Sequence, residues 1–120
     1  MAITVNSKKK QVKKTFQELI NDLMTSSSEK VRYNAARVLG EMGDSKAVEP
    51  LIDVLKNDKN GSVRLYAARA LGELGDSKAT EHLIESLRED RNVDVRVRAA
   101  RALGRLGGKI VVEPLVEALN

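Results

Sequence analysis

The chain of 120 residues contains no cysteine and no tryptophan, and its aromatic residues are one Phe and two Tyr. Without cysteine, disulfide bonds and thiolate metal sites are excluded. No segment approaches the roughly 18 consecutive apolar residues of a membrane span. The lysine run Lys8–Lys10 comes too early for an apolar signal core. We therefore expect a cytoplasmic protein with no membrane partner.

Charge is unevenly distributed along a chain whose overall composition is that of an ordinary folded protein. Hydrophobic residues make up 42% and charged residues 32% of the sequence. The net charge is +4, but residues 1–30 and 95–120 each carry +3, whereas 63–94 carries −2. The two ends are thus basic and the middle is not.

A repeat of 32 residues organises most of the chain. Between residues 31–62 and 63–94, 19 of 32 positions are identical, and no insertion interrupts the register through 95–120. A fixed period of this size predicts a solenoid, in which one helical unit stacks on copies of itself. We expect a single domain over 1–120, with a basic segment and a lone second helix in 1–30, followed by repeats at 31–62, 63–94 and 95–120.

Each repeat is predicted to form two helices. The apolar residues of the first helix in 31–62 recur at helical spacing, and they are Val31, Ala35, Val38, Leu39 and Met42. Gly43 is expected to end this helix and Asp44 to cap the second one. The second helix places Val48, Leu51, Ile52 and Leu55 on one face.

Leu19, Ile20 and Leu23 lie 32 residues before Leu51, Ile52 and Leu55. The repeat therefore predicts that residues 9–25 form a helix equivalent to the second helix of a repeat, without a first helix before it. Ser26 and Glu29 stand at capping-box spacing before the next helix. With the two helices of each repeat, the chain is expected to form about seven helices.

The shared motif V-R-x-x-A-A-R-x-L-G-x-x-G-D-x-x-A-x-E-x-L resembles the short HEAT-like repeat of the phycobilisome-lyase type. The resemblance implies an all-α fold, a right-handed α-α superhelix (HEAT-like α-solenoid) with helices stacked as antiparallel pairs. It also implies that first helices line the convex side and second helices the concave, partner-facing side. Arg32, Arg64 and Arg96 would then bond backbone or acidic groups between units.

Acidic pairs recur on the second helices, away from the apolar face. We predict a partner-binding concave face formed by Glu49, Asp53, Glu81, His82, Glu85, Glu113 and Glu117. His82 and Glu85 form a His-x-x-Glu pair, which is poor evidence for a metal site when it stands alone. We expect no metal, no cofactor and no catalytic residue, since no nucleophile–base set or phosphate loop is present.

Basic residues provide a second candidate surface. Arg37, Arg69 and their third-repeat counterpart can form a stripe of the kind that contacts phosphate, and the predicted phosphate contacts are Lys8, Lys9, Lys10, Arg98, Arg101 and Arg105. The lysines are equally explained as a polar cap on the end of a solenoid. Nucleic acid is an alternative partner that we do not favour, because aromatic residues for base stacking are scarce.

The third repeat departs from the pattern, with Gly108 in place of the capping Asp and Ile110 in place of a lysine. Ile110 and Val112 widen an apolar flank, so we expect this end to dock on a second copy, a partner or further repeats.

The sequence as a whole favours a non-enzymatic protein–protein interaction scaffold. The alternatives left open are a nucleic-acid-associated module, a bilin-lyase-related subunit, which the resemblance alone supports, and an engineered repeat scaffold, which the regularity of the repeats suggests.

Overall fold

The computed structural model of this protein describes residues 13–107, and every regular element in that range is helical. The α-helices are α1 (Phe16–Thr25), α2 (Glu29–Met42), α3 (Val48–Asn57), α4 (Gly61–Leu74), α5 (Thr80–Glu89) and α6 (Val93–Leu106). Short 3-10 turns at Ser45–Ala47 and Ser77–Ala79 precede α3 and α5. Six of the seven predicted helices therefore lie in the described range, and the seventh falls on residues outside it.

The helices form two layers. The first-helix layer consists of α2, α4 and α6, which pack side by side, and the second-helix layer consists of α1, α3 and α5. Each helix of the second-helix layer packs mainly on the next helix along the chain, α1 on α2, α3 on α4 and α5 on α6. The fold is the expected α-solenoid, but its tight hairpins join the second helix of one repeat to the first helix of the next.

Each helix of the first-helix layer begins and ends at the same repeat positions. Ser28, Asn60 and Asn92 are the N-caps, and their side chains accept the backbone N–H three residues later. At the other end, Gly43 and Gly75 adopt the left-handed conformation that favours glycine, which confirms their expected role as terminators.

Three local predictions are corrected. The helix expected over 9–25 begins at Phe16, because Thr15 and Glu18 form a capping box there. The cap of α2 is Ser28 rather than Ser26, whose hydroxyl instead accepts the N–H of Ser28. Asp44 does act as a cap, but of a 3-10 turn, so that the α-helix starts only at Val48.

The core lies between the layers and is almost entirely aliphatic. Leucines at one repeat position of the first-helix layer, Leu39, Leu71 and Leu103, have no exposed surface. Leucines of the second-helix layer, such as Leu51 and Leu83, meet them from the other side and are equally buried. Burial of apolar area, at about 25 cal/mol per Å², is the main force that holds the layers together.

Buried arginine–aspartate pairs connect consecutive hairpins. Arg32 donates Nε and Nη2 to the two carboxylate oxygens of Asp58, at 2.9 and 3.2 Å. Arg64 repeats this bidentate contact with Asp90, at 2.9 and 3.1 Å. Each of the four side chains is at least nine-tenths buried. The predicted structural role of these arginines is confirmed.

Arg32 and Arg64, together with Arg96 at the equivalent position, also donate a hydrogen bond to the loop that precedes their own helix. Arg32 donates Nη1 to the carbonyl of Ser26, Arg64 to that of Asp58 and Arg96 to that of Asp90, at 2.7 to 3.0 Å. Asp58 therefore binds two arginines, one through its carboxylate and one through its carbonyl. These contacts form one continuous chain of hydrogen bonds, which we call the arginine ladder, from Ser26 to Arg96.

Glycines allow the helices of the first-helix layer to approach closely. A Cβ placed on Gly40 would lie 2.8 Å from Cα and Cβ of Ala70, and one on Gly72 would lie 2.9 Å from the same atoms of Ala102. At Gly104, in contrast, no heavy atom of residues 13–107 lies within 4 Å of that position. Gly40 and Gly72 are therefore helix-packing positions, at which a larger residue would push the neighbouring helix away.

We expect Asp90→Ala to lower the free energy of unfolding by about 3–5 kcal/mol, since it leaves the buried Arg64 guanidinium without its carboxylate. The control is Glu41→Ala, which breaks an exposed pair with Arg37 at 3.2 Å and should cost less than about 1 kcal/mol. Urea unfolding followed by circular dichroism measures both. Equal losses for the two variants would show that the ladder contributes no more than a surface pair.

Gly72→Ala and Gly104→Ala should change stability in opposite directions. The first forces α4 and α6 apart and should cost about 1–3 kcal/mol. The second adds a methyl group at the equivalent position of α6, which no described residue contacts, and should stabilise by about 0.5–1 kcal/mol through helix propensity. Urea unfolding again decides, and stabilisation by both variants would contradict the close contact at Gly72.

Candidate functional site

The acidic residues predicted to bind a partner lie together on the second-helix layer. Glu49 and Asp53 on α3 and Glu81 and Glu85 on α5 are all exposed and occupy matching positions of neighbouring helices. Asp53 accepts a hydrogen bond from Asn57 at 2.8 Å, while His82 is half-buried. Glu113 and Glu117 lie outside the described residues. The acidic row stops at α1, where Gln17 and Asn21 take the corresponding positions.

Shallow grooves separate the helices of this layer. One of about 340 Å³ lies between α1 and α3, with Asp53, Asn57 and Lys59 among its lining residues. Another of about 220 Å³ lies between α3 and α5, lined in part by Lys56, Glu85 and Arg91. Lysine and arginine in the lining offset much of the acidic charge, so the second-helix layer has no strong field of one sign.

The first-helix layer shows a clear change of charge along the repeats. Arg37 pairs with Glu41 at 3.2 Å, and Arg69 with Glu73 at 3.7 Å, both four residues apart on one helix. In α6 the position of Glu41 and Glu73 is occupied by Arg105. It stands four residues after Arg101, which corresponds to Arg37 and Arg69. As a result, Arg98, Arg101 and Arg105 form no ion pair with any residue between 13 and 107.

These three arginines border a groove between α4 and α6 of about 410 Å³. We call it the arginine groove, and it is lined by Arg69, Glu73, Arg98, Arg101, Ala102 and Arg105. Glu73 is its one acidic residue, and its Oε1 atom is buried without a hydrogen-bond partner in the described part of the chain. The groove therefore combines four cations with a single carboxylate, and it favours an anionic ligand.

Several predicted site residues lie outside the described range, namely Lys8, Lys9, Lys10, Ile110 and Val112. Their predicted roles stay predictions. Within 13–107, no group of three or more His, Cys, Asp or Glu side chains is arranged to hold a metal ion, and no helix there is long and apolar enough to cross a membrane.

Sequence reasoning missed residues that complete both the scaffold and its surface. Asp58 and Asp90, the ladder acids, are identical one period apart, so the repeat itself carried their signal. Val93 and Val97 are 57% and 44% exposed, although both are apolar. Val93 precedes the shared motif and Val97 stands at one of its variable positions, but their spacing of four residues on one helix was a sign of a common face.

Comparison with known proteins agrees with this architecture. Residues 16–93 match the family model of HEAT repeats, and residues 95–120 match that of the PBS lyase HEAT-like repeat. A comparison with curated proteins found no significant match.

Among solved structures, the chain is similar to one from the complex of CpcE and CpcF of phycocyanin lyase from Nostoc sp. PCC7120. The two share 34% sequence identity with a TM-score of 0.81 over 90% of this chain. The match spans 43% of the length of that chain. Taken with the family match over 16–93, it shows that this chain belongs to the HEAT-repeat family, with repeats of the short PBS-lyase type.

Proposed function

We propose that this protein is a protein-interaction module that binds an acidic segment of a partner through the first-helix layer, at the arginine groove. The observation that carries the proposal is the cluster of Arg98, Arg101 and Arg105, which have no acidic partner among residues 13–107. In the two preceding repeats Arg37 and Arg69, the counterparts of Arg101, pair with Glu41 and Glu73, which are the counterparts of Arg105. The charge is thus a property of one repeat rather than of the scaffold.

Helix spacing supports the same side of the molecule. Ala70 and Ala102 bring neighbouring helices of the first-helix layer into backbone contact, whereas helices of the second-helix layer are separated by grooves. A stack bends towards its more closely spaced layer, so the spacing favours a concave first-helix layer. This is the reverse of the arrangement that the family resemblance implied, with the second helices on the concave side.

Preorganisation is the physical advantage of such a surface. The arginine ladder and the close glycine–alanine contacts fix the helix backbones before any partner arrives. Binding then orders only side chains, which costs about 0.5–1.5 kcal/mol for each one immobilised. Guanidinium groups suit the task, because their planar donors bind carboxylates in a bidentate manner.

The test is affinity capture followed by a binding measurement on the captured protein. We expect Arg98→Glu to weaken binding at least about tenfold, since charge reversal in a complementary interface removes an attraction and adds a repulsion. Lys30→Glu is the matched control, because Lys30 is an exposed cation of the same layer and the charge change is identical.

A third variant, Glu81→Lys/Glu85→Lys, tests the acidic row of the second-helix layer. Retained binding is expected. Loss of binding in this variant, with Arg98→Glu unaffected, would overturn the arginine groove and assign the partner to the acidic row instead.

Nucleic acid is distinguished by its dependence on salt. Binding to a labelled duplex should be weak if the partner is a protein. Tight binding that falls with a log–log salt slope of about three, matching three phosphate contacts, and that is lost in Arg98→Glu would assign the groove to a nucleic acid.

A lyase-related role is a second candidate, supported by the 34% identity with a chain of the phycocyanin lyase complex. In that case the chain acts as a subunit, and its partner is a second HEAT-type subunit or the acceptor protein. The test is bilin attachment to apo-phycocyanin, followed by absorbance, with and without this chain. No effect of the chain on the rate or yield of attachment would reject this role.

A further inference from the structure

Helix α6 carries a stripe of small and branched apolar residues, of which Val93, Val97 and Gly104 are exposed and Ala100 is half-buried. Val93, Val97, Ala100 and Gly104 stand at i, i+4, i+7 and i+11, which places them on one face of the helix. Val93 and Val97 are two of the four exposed large hydrophobic residues in the described part of the chain. We call this set the α6 stripe.

The equivalent face of the other two helices in this layer is covered. Ala36 on α2 and Ala68 on α4, which correspond to Ala100, are fully buried. Gly40 and Gly72 are in contact with the next helix of the layer, whereas Gly104 has no such contact with any described residue. The α6 stripe is therefore a helix-packing surface that no described residue covers.

A row of charged residues borders the stripe. It follows the same spacing, shifted by one residue, and consists of Asp94, Arg98, Arg101 and Arg105. Asp94 lies in the first turn of α6 and Arg105 in the last turn. Like the three arginines, Asp94 has no ion pair with any described residue. The helix thus carries a negative charge at one end of the row and positive charges at the other.

We propose that the α6 stripe binds a second copy of this chain, with the two α6 helices antiparallel about a two-fold axis between Val97 and Ala100. In that arrangement Val93 lies opposite the partner's Gly104, and Val97 lies opposite the partner's Ala100. Each valine faces a small residue at all four contacts. Alternation of large and small side chains lets two helices interlock without a void.

The same two-fold axis also places opposite charges of the two copies close to each other. At a rise of about 1.5 Å per residue, Asp94 of the partner subunit lies level with a point between Arg101 and Arg105, about 3 Å along the axis from each. Both protomers present this row on the same side of the interface. Each carboxylate therefore meets two guanidinium groups of the other copy, and the pairing forms twice in the dimer.

Continuation of the solenoid by a second copy head to tail is less well supported. The helix that would follow α6 is then α2 of the next copy, with Val38 at the position of Ala70 and Ala102. A branched side chain is wider than the alanine that rests on Gly40 and Gly72. Such a contact would also repeat without closing and would produce open polymers rather than a dimer.

The test uses the absence of native cysteine. In the two-fold arrangement Ala100 lies about 5 Å along the axis from its symmetry mate, so Ala100→Cys should form a disulfide-linked dimer on mild oxidation, seen on a non-reducing gel. The control is Glu41→Cys, placed on exposed surface of α2, which should stay monomeric.

Two outcomes would overturn the proposal. Cross-linking only in a mixture of Ala100→Cys with Val38→Cys would show the head-to-tail arrangement. A thiol at position 100 that is neither cross-linked nor open to a thiol reagent would show that another part of the chain, such as residues 108–120, covers the stripe.

Sedimentation velocity gives an independent measurement. One helix pair is a small interface, so we expect weak self-association, with dimer appearing near about 100 µM. Val97→Lys should abolish it, Asp94→Lys should weaken it, and Asp94→Lys/Arg101→Asp should restore it. A wild-type chain that remains monomeric throughout would reject the dimer.

The dimer and the proposed partner binding share Arg101 and Arg105, so the acidic partner and Asp94 of the second copy would compete for them, but two variants at other positions separate the two activities. Val97→Lys removes self-association while it leaves Arg98 and the α4 side of the arginine groove intact. Arg98→Glu changes the groove while it leaves the stripe intact. Loss of both activities in both variants would instead show that partner binding requires the dimer.

Discussion

The contact between a guanidinium group and a loop aspartate sets the geometry of the whole solenoid. Aliphatic burial is non-directional and would tolerate small rotations of one hairpin on the next. A bidentate arginine–carboxylate contact does not, because its two parallel hydrogen bonds fix both distance and angle. Asp58 and Asp90 each bind the arginine before and the arginine after them. The hairpin of α3 and α4 is thereby aligned with the described hairpins on both sides of it.

Alignment of the hairpins frees the outer surface to vary. The ladder, the leucine core and the glycine–alanine contacts occupy inward or junction positions, so the outward positions of each helix contribute little to stability. One consequence is that the repeat position occupied by Glu41 and Glu73 is occupied by Arg105 in the third repeat, without loss of the fold. The charge of a binding surface is set by such positions, which explains how repeats this similar differ in net charge.

Features set by local spacing and by repetition could be predicted from the sequence, whereas features set by contacts between helices could not. The two helices per repeat, the terminating Gly43 and Gly75 and the role of Arg32 and Arg64 were predictable, because local periodicity and repetition specify them. The start of α1 at Phe16 was not, since the apolar spacing does not mark it and the Thr15 cap decides. The family resemblance also did not predict which layer is the more closely spaced, because that depends on Gly40 and Gly72 meeting alanines 30 residues away.

The candidate site shows the same division. The acidic row and the arginines were identified from spacing on single helices. The arginine groove required knowledge of which helices are neighbours, because Arg69 and Glu73 come from α4 and the other cations from α6. The exposure of Val93 and Val97 likewise depends on what packs beside them. A surface made by two elements is visible only once their packing is known.

The offset between the sequence repeat and the packed hairpin bears on how such a chain changes length. Consecutive hairpins are connected by the 3-10 turns Ser45–Ala47 and Ser77–Ala79, which follow Gly43 and Gly75. An exchange of genetic material at two such turns would add or remove one hairpin with its ladder arginine and aspartate together. The junctions on either side would remain matched, because each unit offers the same carbonyl and the same carboxylate. A change in length by whole hairpins therefore leaves every buried arginine of the ladder with its aspartate.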